Sequence, residues 1–256
     1  MNEMKLFLKN NSAYIWLLVF AVAMGFLEAI VVVYLRQIYY PEGFGFPLSL
    51  LSLEMLSVEW IREFATLVML ASVGIIAGKN NLQRLCYFLF SFAIWDIFYY
   101  IALKLLLNWP PALLTWDILF LIPVPWIGPV LAPVICSFTM IFMSVSIINR
   151  QKTDVGIKIK PVEWVLLITG ALTILCTFMN DYLNIILKSG ILSGSLNRTE
   201  NDQFWQTITQ YMPVGYNWYV FVAGEIIIWV ALALILRPKT KKNYKRKAHH
   251  SSVLHL

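Results

Sequence analysis

The chain has 256 residues, of which 59% are hydrophobic and 13% are charged, and its formal net charge is +6. Soluble domains carry about 25% charged residues, so this composition excludes a soluble domain with a single anchor and predicts a polytopic membrane protein. The basic excess lies beside the ends of apolar segments, where it indicates membrane topology rather than nucleic-acid binding.

Six apolar segments reach the length of about 20 residues that a membrane-spanning helix needs. Their approximate bounds are 13–37, 57–78, 83–107, 117–148, 162–188 and 212–236. The expected fold is therefore an all-α bundle of six transmembrane helices. It forms one domain over 1–236, and a basic tail follows over 237–256.

Basic residues alternate between the two sides of these segments. Most of the 20 Lys and Arg residues lie before the first segment, between the second and third, between the fourth and fifth, and after the sixth. The positive-inside rule therefore predicts that both termini are cytoplasmic. Short loops and the lack of a recognisable organelle presequence favour a bacterial inner (plasma) membrane.

The fourth segment carries four prolines, which are Pro123, Pro125, Pro129 and Pro133. Proline removes a backbone donor and clashes with the preceding helical turn, so this segment is expected to be Pro-broken: kinked, partly unwound or re-entrant. Unwound backbone at membrane depth is stable only against protein or a water-filled cavity. A tolerated kink and a discontinuous helix that lines a binding site both remain open.

Seven carboxylates lie inside or at the edge of the apolar segments. They are Glu28, Glu59, Glu63, Asp96, Asp117, Asp181 and Glu225. A charged side chain costs about 2.5–3.5 kcal/mol at the centre of a membrane helix, so each acid needs a partner, a proton or water. With both termini cytoplasmic, all seven fall at the midplane or in the outer half of the bilayer, which predicts a functional site there.

Helical spacing divides these acids. Arg62 shares a helix face with Glu59 and Glu63 and is expected to pair with both. Glu28, Asp96 and Glu225 lie nearest mid-depth without an obvious local partner, so we expect them to bind a proton or a cation. The candidate ligand- or proton-binding residues are Glu28, Asp96, Glu225, Glu63, Arg62, Asp181, Tyr100 and Asn217. The alternative is that these polar faces only hold the helices together.

Other chemistry has no sequence signal. No histidine lies in a predicted span, and the three cysteines form no metal-binding pattern. The sequence also lacks a Gly-rich phosphate loop and an Asp-rich diphosphate motif. No metal site, cofactor or catalytic residue is therefore predicted.

Three functions remain open. The leading hypothesis is transport or binding of a small cationic or proton-coupled solute in an acidic, aromatic-lined cavity, with neutralisation of Glu225 abolishing it. The second is a membrane enzyme that acts on a lipid or isoprenoid, with carboxylate acid–base or Mg-type chemistry. The third is a non-catalytic subunit of a membrane complex. The expected partners are membrane lipid and the cationic solute or proton, and a homo-oligomer remains open.

Overall fold

A computed structural model describes residues 12–49, 52–153, 158–188 and 210–237. Within these ranges, six helices are long and apolar enough to cross a membrane. They are α1 (Ser12–Tyr39), α2 (Leu53–Ala77), α3 (Asn81–Leu107), α4 (Leu131–Thr153), α5 (Pro161–Lys188) and α6 (Trp218–Leu236). The predicted set of six apolar helices is confirmed, and it is compatible with a multi-pass membrane protein. The predicted basic tail lies almost entirely outside the described residues.

Side-chain caps explain where two helices begin. The Ser52 hydroxyl accepts a hydrogen bond from the Met55 N–H at 3.2 Å, so α2 starts four residues before its predicted bound of 57. The Asn217 carboxamide oxygen accepts from the Val220 N–H at 3.3 Å, and α6 starts only at Trp218 instead of 212. Both helix starts therefore follow capping chemistry rather than hydropathy.

The fourth predicted span is wrong over its first part, because helix α4 begins only at Leu131. Before it, strands β1 (Trp116–Phe120) and β2 (Trp126–Pro129) form an antiparallel hairpin. Apolar length alone cannot separate a buried hairpin from a helix. Pro133 falls in the first turn of α4, where a missing N–H costs no intrahelical hydrogen bond.

Helix α3 is the centre of the larger part of the bundle and packs against α1, α2 and α4. Glycines allow two of these contacts to be close. A Cβ at Gly25 of α1 would lie 2.8 Å from the Trp95 carbonyl oxygen, and one at Gly74 of α2 would lie 2.9 Å from the Phe88 nitrogen. α1 and α2 make little direct contact with each other.

Helices α5 and α6 form a second, tightly packed pair. A Cβ at Gly170 would lie 2.8 Å from the Gly224 carbonyl oxygen, and a Cβ at Gly224 would lie 3.0 Å from the Gly170 carbonyl oxygen. This pair joins the rest of the bundle because α6 contacts α4 and α5 contacts β2. The end of the bundle at which α1, α3 and α5 end, and at which the hairpin lies, is called the hairpin end below.

Candidate functional site: a carboxylate-lined cavity

A cavity of about 390 Å³ lies towards the hairpin end, between α1, α2, α3 and the hairpin. The segment that follows α1 and Tyr182 of α5 complete its wall. Its charged lining residues are Glu28, Arg36, Glu59, Arg62, Glu63, Asp96 and Asp117. The lining thus contains three more carboxylates than arginines.

Arg62 links α1 to α2 across the cavity. Its Nε donates to Glu59 Oε2 at 2.8 Å, and its NH1 donates to Glu28. The expected Arg62–Glu63 pair is not formed, and Glu28, which was expected to lack a partner, takes its place. Adjacent helix residues do not face each other, so Arg62 and Glu63 point in different directions.

Glu63 instead faces the hairpin. Both of its carboxylate oxygens accept from the Leu121 N–H at 3.0 Å, just after β1 ends. The side chain is buried, with the residue 6% exposed. In the described part of the chain, no Lys or Arg lies within ion-pair distance of Glu63.

Asp96 is the second cavity acid without a basic partner. Its Oδ2 accepts from the Ser137 hydroxyl of α4 at 2.8 Å. Among the described residues, no Lys or Arg forms an ion pair with it. The neighbouring Trp95, Tyr99 and Tyr100 place aromatic rings in the same wall.

Asp117 forms a separate ion pair near the hairpin end. Its Oδ1 accepts from Arg36 NH2 at 3.2 Å, and its Oδ2 accepts from the Tyr100 hydroxyl at 3.2 Å. The Arg36 guanidinium lies 4.2 Å from the Phe44 ring centroid and 3.8 Å from that of Trp109. Burial raises the pKa of Asp117 to about 6, and the Arg36 charge opposes that rise.

The segment after α1 covers the cavity. Tyr40, Phe44, Leu48 and Ser49 all line it. The Ser49 N–H donates to the Tyr40 hydroxyl at 2.8 Å, and the Ser49 hydroxyl donates to the Tyr39 carbonyl at 3.0 Å. These two hydrogen bonds hold the segment against the end of α1, where it covers the cavity.

Three of the predicted residues lie elsewhere. Glu225 of α6 is 8% exposed and accepts from the Thr139 hydroxyl at 2.8 Å, away from the cavity lining. Asp181 of α5 accepts from the Tyr211 hydroxyl. Asn217 is the N-cap of α6. Each of these side chains has a structural partner of its own.

The structure thus brings together five of the eight candidate residues: Glu28, Arg62, Glu63, Asp96 and Tyr100. It adds Arg36, Glu59 and Asp117, which were not among the candidates. Spacing along one helix could not reveal the pair between Arg36 and Asp117, because 81 residues separate them in the chain. Across the described residues, no cluster of three or more His, Cys, Asp or Glu side chains has the geometry of a metal site.

Chemically, this cavity can attract and hold positive charge. Three of its five acids form ion pairs with the two arginines, whereas Glu63 and Asp96 have only hydrogen bonds. Aromatic rings beside them can add cation–π attraction. Comparison with known proteins finds no matching family model, no matching curated protein and no matching solved structure. The cavity residues therefore carry the functional inference.

Proposed function

We propose that this protein binds a small cationic solute in the carboxylate-lined cavity and takes part in its transport across a membrane. The observation that carries the proposal is that two acids, the buried Glu63 and the partly buried Asp96, face one cavity without a basic partner in the described chain. A buried carboxylate without a countercharge is costly, and a bound cation or a proton removes that cost.

The size and lining of the cavity support an organic cation. Ligand cavities commonly enclose about 300–1,000 Å³ and are mostly apolar with a few convergent polar groups. The volume here, about 390 Å³, falls at the lower end of that range. Trp95, Tyr99 and Trp60 lie in the same wall as the acids, which favours a quaternary or primary ammonium group.

The same arrangement favours a binding role over a purely structural one. Ion pairs that only join helices need as many cations as anions, and this lining has an excess of carboxylates. In a non-catalytic subunit, the polar faces would be directed at partner helices, whereas here they converge inside one chain. The alternation of basic residues along the sequence leads us to propose that the hairpin end faces the outside of the membrane.

Tetramethylammonium is a suitable probe because its charge is permanent and its size is small. We expect the protein in phosphatidylcholine nanodiscs to bind it, as measured by isothermal titration calorimetry. Glu63→Gln and Asp96→Asn should each weaken binding by at least about tenfold, or about 1.4 kcal/mol, since each removes a negative charge close to the bound cation.

Glu225→Gln is the matched control, because it neutralises a buried acid that does not line the cavity. Its affinity for tetramethylammonium should stay within about twofold of the wild type. Proteoliposomes should accumulate labelled tetramethylammonium with wild-type protein and with Glu225→Gln, and lose uptake with Glu63→Gln. Equal binding by all four proteins, or no binding by any, would overturn the proposal.

A further inference from the structure

The cavity is bounded on two sides by helices that do not pack against each other. α1 and α2 both pack on α3 but make little direct contact. The ion pair between Arg62 and Glu28 crosses the space between them. A gap therefore separates α1 from α2 on the hairpin side of this ion pair.

Two charged residues border this gap, Arg36 of α1 and Glu59 of α2, and both are held in ion pairs. The rest of its walls is apolar: Val32 and Leu35 of α1 and Leu56 and Trp60 of α2 line the cavity there. All four lie between the Arg62–Glu28 pair and the hairpin end, because α1 ends and α2 begins at that end. The cavity thus has a charged part beside Glu63 and Asp96 and an apolar part between the two helices.

The apolar part reaches the surface of the molecule. Trp60 lines the cavity and is nevertheless 43% exposed. Phe64 lies one turn further along α2 on the same face as Trp60, and it is also apolar and 64% accessible. In a bilayer, this face of α2 would contact lipid chains, so the gap would open beside them.

We propose that the ligand is a single-chain cationic amphiphile. Its ammonium group lies against Glu63 and Asp96, and its alkyl chain lies in the gap between α1 and α2 and extends past Trp60. This inference rests on the proposed function, because the same two acids hold the charge. It adds a substrate class, since a small hydrophilic cation would leave the apolar part of the cavity without a ligand contact.

The first test compares three probes that share a head group or a chain: decyltrimethylammonium, tetramethylammonium and decanol. Binding to the protein in phosphatidylcholine nanodiscs is measured for each, below the micelle concentration and with correction for partition into the bilayer. Decyltrimethylammonium should bind at least about tenfold more tightly than tetramethylammonium, because each buried methylene adds to the affinity. Decanol should bind more weakly than decyltrimethylammonium, and Glu63→Gln should remove that difference.

Val32→Trp narrows the gap on the α1 side. It should reduce the affinity gain from the decyl chain to below about threefold, because only decyltrimethylammonium has a chain for the gap to hold. Leu27→Trp is the control on the same helix, because Leu27 is 54% exposed and does not line the cavity. Retained tetramethylammonium binding also shows that each variant is folded.

A terminally brominated decyltrimethylammonium locates the chain. Its bromine should quench tryptophan fluorescence in the wild type, and Trp60→Phe should remove the larger share of that quenching. If the two cations bind equally well and Glu63→Gln weakens both, the amphiphile is wrong and the proposed function stands. If neither cation binds, the proposed function fails and this inference fails with it. Decanol binding as tightly as decyltrimethylammonium would overturn the charge recognition.

Discussion

The cavity and the α5–α6 pair both bury glutamates, yet they use them differently. In the cavity, Glu63 lies beside open space and among more acids than arginines. At the second region, Glu225 lies next to Gly224, where α5 and α6 approach so closely that a Cβ has no room, and it accepts from Thr139. Burial of a carboxylate is therefore not by itself a sign of a site. Adjacent space is the feature that distinguishes the cavity, because Glu225 also has no Lys or Arg within ion-pair distance among the described residues.

The largest expected effect comes from removing Arg62 at the cavity. Arg62→Met leaves Glu28 and Glu59 without their shared cation. Loss of one partner of a fully buried ion pair costs about 3–5 kcal/mol, and the cost here is smaller because the Arg62 side chain is 21% exposed. We expect a clearly lower unfolding temperature in nanodiscs, followed by differential scanning fluorimetry. Glu225→Gln, which removes a charge but keeps a hydrogen-bonding group at Thr139, should cause a much smaller change.

The triple variant Arg62→Met/Glu28→Gln/Glu59→Gln is the control for this experiment. It removes both unpaired carboxylates and should recover most of the lost stability. An Arg62→Met protein as stable as the wild type would show that the three side chains do not interact as the structure has them.

A methyl group at the α5–α6 contact tests how closely these two helices pack. Gly170→Ala places a Cβ 2.6 Å from Ile228 Cγ1 and 2.8 Å from the Gly224 carbonyl oxygen. We expect it to lower stability by about 1–3 kcal/mol, since an overpacked contact forces backbone movement, although alanine favours the helix. Tetramethylammonium affinity should not change.

Gly45→Ala is the matched control, because a Cβ at that position meets no atom within 4 Å. It should unfold at the wild-type temperature. If Gly170→Ala is equally harmless, then α5 and α6 do not approach each other at this glycine pair.

The smallest expected effect is a pH dependence at Asp117. Its pKa in the fold is about 6, above the ordinary value of 3.8, so the folded state takes up a proton that the unfolded state does not at intermediate pH. Wild-type stability relative to Asp117→Asn should therefore rise as the pH falls from about 7 to about 4. Unfolding temperatures of the two proteins across this range measure the difference, and a constant difference would contradict the raised pKa.

Much of the fold follows from hydropathy, because an apolar stretch of about 20 residues has few stable alternatives to a helix. The hairpin at Trp116–Pro129 did not follow, since a hairpin buried against other helices is as apolar as a span. The pairing of Arg62 with Glu28 did not follow from hydropathy either. Spacing along α2 predicts Glu59 and Glu63 as the partners of Arg62, whereas Glu28 lies on α1. The spacing of residues along one helix does not say which residues of another helix will lie opposite them.

Helical spacing also could not predict which of Asp96 and Glu225 lines the cavity. Both are isolated acids near the middle of an apolar helix, and the sequence gives them equal weight. Asp96 lies on α3, which the cavity borders, whereas Glu225 packs against α4 beside the close α5–α6 contact. The position of the cavity depends on where small residues such as Gly170 let helices approach closely and on where the hairpin packs. It is therefore a property of the whole fold.

The proposed function requires that the cavity acids Glu63 and Asp96 bind the cation and that Glu225, which is buried to nearly the same degree as Glu63, does not. The most direct measurement is a parallel titration of tetramethylammonium into Glu63→Gln/Asp96→Asn and into Glu225→Gln, each in nanodiscs. We predict no measurable binding to the double variant and affinity within about twofold of the wild type for Glu225→Gln. The reverse result, with binding lost in Glu225→Gln and kept in the double variant, would contradict the account.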